Sequence, residues 1–278
     1  MLRQRLLTAF ILAPLLLIGV FFFSEAWFAA LIAFPLLLAA WEWSGLYEIK
    51  HPAPRIALII LGVVGALVLY IGNSDDVLLW ILGLSSLVWS GLFIDLLNRP
   101  VLANFGQRWI GLTVGTIGLI VAWLSFTALR QAEGGEKLVF ILLAIIWVAD
   151  SGAYFIGKRW GRRRLAPLIS PGKSIEGLIG GIGSAALVGF VAALLLGFRD
   201  VIEVVTWTVV AILVSSISVV GDLAQSRIKR RCGKKDSGTL LPGHGGILDR
   251  IDSLLAAAPV YGLLVLYVLP QLFAGVSG

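Results

Sequence analysis

The stretch between residues 222 and 252 interleaves three kinds of residue that suit chemistry on phosphates. Its carboxylates offer hard oxygen ligands for Mg²⁺, which prefers one or two carboxylates together with substrate phosphates and water. Its basic side chains offer phosphate partners, and its glycines let backbone N–H groups approach an anion. The residues are Asp222, Asp236, Asp249 and Asp252, then Arg227, Lys229, Arg230, Arg231, Lys234, Lys235 and Arg250, and Gly243, Gly245 and Gly246. Together they predict a site for a polyphosphate and a metal ion.

The positions of the aspartates sharpen this prediction. Asp222 follows an apolar run, where a carboxylate at membrane depth is costly and points to function. Asp249 opens the next apolar segment, with Arg250 and Asp252 in its first turn. An acidic first turn also complements the helix dipole, by about 0.3–1 kcal/mol, so Asp252 on its own is explained equally well as a helix-start residue. Asp222 and Asp249, however, lie at the ends of two helices that a basic, glycine-containing loop joins. This arrangement favours a metal and polyphosphate site over helix capping alone.

A second stretch, from Trp147 to Gly177, carries further polar residues. Asp150 lies inside a predicted span, so it either faces a polar cavity or is satisfied by buried neighbours. The run from Ser170 to Glu176 predicts a helix start, with serine followed by glutamate as in a capping box. Because a helix N-terminus also binds anions, we expect Lys173 to point at the bound group.

The composition excludes a soluble globular protein. The chain has 278 residues, is 59% hydrophobic and 14% charged, and has a formal net charge of +6, with a mean hydropathy of +0.96. Soluble domains have about 45–50% apolar and about 25% charged residues. The single cysteine, Cys232, excludes an intramolecular disulfide.

Apolar segments of the length that a bilayer requires fill nearly the whole chain. They lie at about 5–23, 27–49, 56–73, 77–97, 109–130, 138–156, 175–197, 203–223 and 253–274. We therefore predict an all-α polytopic membrane protein of about nine transmembrane helices, forming one domain over residues 1–278. Its N-terminal spans occupy about 5–130 and its catalytic part about 138–274. We expect Glu42 and Asp95, inside other spans, to form bonds within the bundle rather than to line a lipid entrance.

The distribution of basic residues predicts the orientation, because cytoplasmic loops carry the excess of lysine and arginine. With the N-terminus inside, all but three of the 22 basic residues lie on the inner side, the exceptions being Arg130, Lys137 and Arg199. The two long loops, at about 157–174 and 224–252, are then cytoplasmic. We expect a multi-pass protein of the bacterial inner membrane with its active site at the cytoplasmic helix ends.

The segment from Ser226 to Asp252 resembles the signature of the phosphatidate cytidylyltransferases, also called CDP-diacylglycerol synthases. It reads Ser-x-Ile-Lys-Arg, four residues, Lys-Asp-x-Gly, then Leu-Pro-x-His-Gly-Gly-Ile-x-Asp-Arg-Ile-Asp. The run from Ser170 to Gly177 is similar to a second family segment, Ser-Pro-Lys-Lys-Thr-x-Glu-Gly. This chain departs from it at Gly172 and Ser174, and the missing cation leaves the role of position 172 open.

The resemblance implies a membrane nucleotidyltransferase of phospholipid biosynthesis, which converts CTP and phosphatidate into CDP-diacylglycerol and pyrophosphate. As a hypothesis, Asp222 and Asp249 hold Mg²⁺ with Asp252 or Asp236 in support, and a second cation would complete a two-metal site. Catalytic roles are expected for Asp222, Asp249, Lys173, Lys235, Asp236 and His244, although His244 has a structural role in the glycine turn as its alternative. Substrate contacts are expected from Ser170, Lys229, Arg230, Gly245, Gly246, Arg250 and Asp150.

Three rival functions fit parts of the pattern. A transporter or channel would explain nine spans and Asp150, but it needs polar residues spread across the membrane. A CTP-dependent lipid kinase would release CDP instead of pyrophosphate. A polybasic scaffold would not explain the aspartates and glycines. Membrane lipids are expected partners, nucleic acid is not, and a homodimer is suggested only by the family resemblance.

Overall fold

The computed structural model describes residues 2–49, 51–72, 74–98, 108–240 and 245–270, with only the backbone for 2–9, 96–98 and 108. Nine α-helices and one small antiparallel sheet lie within these ranges. In chain order they are α1 (Leu2–Phe22), α2 (Glu25–Leu46), α3 (Pro52–Ile71), α4 (Asp75–Asn98), α5 (Arg108–Gln131), α6 (Gly135–Trp160), β1 (Arg164–Ala166), β2 (Ser170–Ser174), α7 (Ile175–Leu195), α8 (Val201–Arg231) and α9 (Leu248–Leu263). A π-helical turn, Leu264–Val268, continues α9.

Eight of the described helices, α2 to α9 with its π-helical continuation, are long and apolar enough to cross a membrane. The described apolar part of α1, Phe10–Phe22, is shorter. Large apolar side chains cover the outer surface: Phe22 is 81% exposed, Trp80 70% and Leu195 83%. Such a surface suits lipid and not water. The predicted all-α polytopic architecture is confirmed.

Glycines bring the helices around the charged residues close together. A Cβ at Gly152 of α6 would lie 2.1 Å from Ser184 Oγ of α7. A Cβ at Gly221 of α8 would lie 2.5 Å from the carbonyl oxygen of Asp252 of α9. The second contact places the neighbouring Asp222 beside the first turn of α9.

Replacing Gly221 by alanine should therefore destabilise the protein by about 1 kcal/mol, because the cost of overpacking exceeds the helix-propensity gain of about 1 kcal/mol. The matched control is Gly183→Ala on α7, where an added Cβ meets nothing within 4 Å. Thermal unfolding in detergent checks the pair. A melting temperature raised equally by both changes would contradict the close α8–α9 contact.

One helix boundary differs clearly from its predicted span, because α8 continues to Arg231 instead of ending near 223. α9 begins at Leu248, before the apolar segment from 253, so Asp249, Arg250 and Asp252 lie at its start as predicted. Hydropathy locates only the apolar part of a helix, and the last turns of α8, beyond residue 223, are polar. Its last turn carries Lys229, Arg230 and Arg231, which complement the negative end of the helix dipole.

The helix start predicted within residues 170–176 is confirmed. α7 begins at Ile175, after an extended Ser174 whose hydroxyl accepts a hydrogen bond from Gly177 N (3.1 Å). The preceding hairpin of β1 and β2 was not predicted. The serine and glutamate form no capping box. Glu176 accepts bonds from the backbone N–H groups of Arg162 (3.0 Å) and Arg163 (3.1 Å), so it secures the connection before β1.

Candidate active site

A polar cavity of about 620 Å³ lies between α6, α7, α8 and the hairpin. Charged groups from α6, α8 and the hairpin line it, in contrast to the apolar outer surface. They are Asp150, Lys158, Arg164, Lys173 and Asp222. Ser174 and Ser215 add hydroxyl groups. The cavity offers a place for a highly charged ligand at one end of the helical bundle.

The first ion pair of the site joins the hairpin to α8. Lys173 Nζ contacts Asp222 Oδ2, and the two side chains are 30% and 28% exposed. Asp222 Oδ1 also accepts a bond from Ser226 Oγ, one helical turn later (3.2 Å). Because both charged groups reach the cavity, an incoming phosphate or cation can exchange with either partner.

The second ion pair is more deeply buried. Lys229 Nζ of α8 lies 2.6 Å from Asp249 Oδ1 of α9, with side chains 9% and 10% exposed. Asp249 also accepts bonds from the backbone N–H groups of Ser237 (3.0 Å) and Gly246 (3.0 Å). Asp249 thus contacts Lys229 and both ends of the glycine loop, which is the segment from Ser237 to Gly246.

Asp252 and Asp150 link these pairs into one electrostatic network. Asp252, in the first turn of α9, is 7% exposed, and the charges that act on it include those of Asp222, Lys229 and Lys173. Asp150 interacts with Lys173, Asp222 and Arg250. The structure therefore brings together six of the predicted residues, namely Asp150, Lys173, Asp222, Lys229, Asp249 and Asp252.

Of the predicted site residues that the structure describes, Asp150, Lys173 and Asp222 line the cavity and the others do not. Lys235, Asp236 and Arg250 are exposed, and Arg230 Nε contacts the carbonyl oxygen of Ile169 in the hairpin (3.4 Å). Gly245 has a φ of +81°, a left-handed conformation that favours glycine. Ser170 and Gly246 are half-buried and buried, respectively. His244 lies outside the described residues.

Lys158 and Arg164 also line the cavity, although neither was predicted as a site residue. Lys158 lies in the predicted polar stretch from Trp147 to Gly177, whereas the only signal for Arg164 was its basic character. Glu42 and Asp95 do bond within the bundle, as expected: Glu42 contacts Ser237 and Asp95 contacts Arg227. The prediction did not specify that Glu42 would meet the glycine loop.

The oxygen-only ligand set of the site fits Mg²⁺. Within the described ranges, no three His, Cys, Asp or Glu side chains group closely enough to hold a metal ion by themselves. Mg²⁺ needs no such cage, because it binds through one or two carboxylates with phosphates and water. The Lys173 ammonium against Asp222 shows that a cation can sit at this carboxylate.

Burial raises the pKa of the Cys232 thiol above its ordinary value, despite the nearby charge of Lys234. The thiol therefore stays protonated near neutral pH, and a thiolate nucleophile at this position is disfavoured.

The chain is similar to known proteins along nearly its whole length. The model of the "Cytidylyltransferase family" matches residues 3–268. A phosphatidate cytidylyltransferase of Pseudomonas aeruginosa is 38% identical over 275 residues, covering 95% of this chain and 97% of the relative. One of Haemophilus influenzae is 36% identical, covering 97% of this chain and 100% of the relative. One of Brucella suis is 42% identical over 161 residues, 56% of this chain.

Proposed function

The chain belongs to the cytidylyltransferase family, and from this premise we propose that it makes CDP-diacylglycerol and pyrophosphate from CTP and phosphatidate. The family is the one that the segment from Ser226 to Asp252 predicts. The observation that supports the activity most strongly is the charged cavity, in which Lys173 and Asp222 meet at the ends of apolar helices.

The location of the cavity suits these substrates. A two-tailed lipid keeps its phosphate in the headgroup plane, whereas CTP arrives from water. The two can meet only where the helices end. The charged residues of the site lie at one end of the bundle, which favours a transferase over a transporter. We also propose an inner-membrane location with this end in the cytoplasm, and a homodimer as the assembly.

The reaction is an attack of one phosphate on another. An oxygen of the phosphatidate phosphate forms a bond to the α-phosphorus of CTP, and the bond to the bridging oxygen between the α- and β-phosphorus breaks. The electron pair leaves with pyrophosphate. Because the phosphatidate phosphate is already ionised near neutral pH, no strong general base is needed. The protein must instead hold two anions together and stabilise the departing charge.

The basic residues of the site would perform most of this work. Lys173 would exchange Asp222 for a phosphate oxygen when substrate enters. Lys229, Arg230, Lys235 and Arg250 would hold the triphosphate and the lipid headgroup, with Ser170, Asp150, Gly245 and Gly246 in contact with substrate. Asp236 and His244 are proposed to assist from the loop.

Asp222 and Asp249, supported by Asp252, would hold Mg²⁺, and a second cation is part of the same proposal. When bound, the metal would neutralise charge on the attacking and leaving phosphate oxygens. The rest of the electrostatic stabilisation would come from the lysines and arginines.

Replacing Lys173 by alanine should lower kcat/KM about 10- to 100-fold, mainly through KM, because a charge-assisted phosphate contact contributes about 1.5–3 kcal/mol. Steady-state kinetics with varied CTP and phosphatidate would measure the change. Arg199→Ala, an exposed cation at the other end of the bundle, is the matched control. Unchanged kinetics for Lys173→Ala would make Lys173 a loop charge without a substrate contact.

The function itself is tested by pyrophosphate release across Mg²⁺ concentrations. We expect release only when CTP, phosphatidate and Mg²⁺ are all present, and its loss when a chelator removes the metal. Release without phosphatidate, or no release from well-folded protein, would contradict the proposal.

A further inference from the structure

Glu42 is a buried carboxylate on α2, far in sequence from both motif segments. Its residue is 4% exposed. It accepts hydrogen bonds from Ser237 Oγ (2.9 Å) and from the backbone N–H groups of Ile247 (3.1 Å) and Leu248 (2.9 Å). A side chain from the N-terminal half of the protein therefore holds both ends of the glycine loop.

The bonds to Ile247 and Leu248 supply a cap that α9 lacks locally. The first N–H groups of a helix have no partner within the helix, and a nearby side chain normally accepts from them. Ile247 occupies the cap position of α9 and has no side-chain oxygen. Glu42 provides the missing acceptor from α2, and its negative charge complements the positive end of the helix dipole.

The loop approaches Glu42 closely at its glycines. A Cβ at Gly246 would lie 2.4 Å from Glu42 Oε2, and a Cβ at Gly238 would lie 2.4 Å from Oε1. Any larger residue at these two positions would displace the carboxylate or the loop. Both glycines therefore allow the close packing of Glu42 against the loop.

The contacts of Glu42 and Asp249 overlap. Glu42 binds the hydroxyl of Ser237, and Asp249 binds the backbone N–H of the same residue. Asp249 also accepts from Gly246, which directly precedes the two amides that Glu42 holds. A shift of the loop away from Glu42 would thus move Asp249 and its partner Lys229.

We propose that Glu42 is a positioning residue, which fixes the start of α9 and the glycine loop so that Asp249 and Lys229 are aligned for nucleotidyl transfer. The inference rests on the proposed function. It does not require Glu42 to touch substrate, since its carboxylate faces the loop from the side of α2.

The test compares Glu42→Gln with Glu136→Gln, a partly exposed glutamate paired with Arg130 near the start of α6. Glutamine keeps the size of the side chain, but its NH₂ group replaces one of the two oxygens that accept hydrogen bonds from Ser237, Ile247 and Leu248. We expect kcat of folded Glu42→Gln to fall about 100-fold, as for a displaced catalytic group, and KM for CTP to change less than about tenfold. Glu136→Gln should match the wild type.

Hydrogen exchange of the Ile247 and Leu248 amides gives a second readout, independent of activity. We expect exchange at these amides to become faster in Glu42→Gln while the rest of α9 stays protected. Should Glu42→Gln fail to fold, Ser237→Ala removes one of the same bonds, and we expect its kcat to fall about tenfold.

If Glu42→Gln lowered only the melting temperature and left kcat per folded molecule unchanged, the positioning role would be overturned. Unchanged exchange at the Ile247 and Leu248 amides would also overturn it. An inactive wild-type protein would instead count against the proposed function, and the exchange data would then still decide whether Glu42 holds the loop.

Discussion

Replacing Asp222 by asparagine should reduce turnover by about 1000-fold while leaving the protein folded. Asparagine keeps the shape of the side chain but removes the charge that faces Lys173 and the cavity. Loss of one preorganised electrostatic group at a reacting centre costs up to about 1000-fold in kcat. Because Asp222 is partly exposed, the fold depends little on its charge.

The measurement is kcat for CDP-diacylglycerol formation by purified protein of equal monodispersity in detergent. Asp200→Asn is the matched control, since Asp200 caps the opposite end of the same helix and asparagine caps about as well as aspartate. We expect the control to match the wild type. If Asp222→Asn kept more than about a tenth of wild-type turnover, Asp222 would not belong to the metal site proposed here.

Replacing Lys229 by methionine should destabilise the protein by about 3 kcal/mol and abolish activity. The change leaves the nearly buried Asp249 without its counter-ion, and breaking a buried pair from one side costs about 3–5 kcal/mol. We expect the lower value because Ser237 and Gly246 still donate to Asp249. Thermal or denaturant unfolding in detergent would measure the change.

A second substitution separates stability from catalysis. Lys229→Met combined with Asp249→Asn removes both charges, so it should recover most of the lost stability, since a neutral pair no longer carries an unbalanced charge. It should not recover activity, because the proposed catalytic group Asp249 and the proposed substrate contact Lys229 are both missing. A double variant no more stable than Lys229→Met would show that the ion pair is not what stabilises this contact.

Hydropathy predicted the membrane spans well, because a segment that crosses lipid must satisfy its own backbone and therefore needs a long apolar helix. The same measure missed the polar turns of α8 beyond residue 223. The first turn of α9 was predicted from Asp249, Arg250 and Asp252 and not from hydropathy. Those turns are helical because of capping, the helix dipole and contacts with other helices. The hairpin before α7 was missed because its strands are short and contain no alternating apolar pattern.

Spacing in the sequence predicted candidate site residues but not how they pair. Asp222 and Asp249 were predicted from their positions at helix ends, whereas their separate partners, Lys173 and Lys229, depend on how the hairpin and α8 pack. Glu42 lies almost 200 residues before the loop that it holds. Only the packing of α2 against the start of α9 shows this contact.

The most direct test follows radioactive phosphorus from CTP labelled at either the α- or the γ-position, with phosphatidate and Mg²⁺ present. Nucleotidyl transfer predicts that the α-label enters an organic-soluble lipid, CDP-diacylglycerol, and that the γ-label stays in water as pyrophosphate. Entry of the γ-label into lipid would identify a kinase. If folded protein put neither label into lipid, the proposed transferase activity would be contradicted.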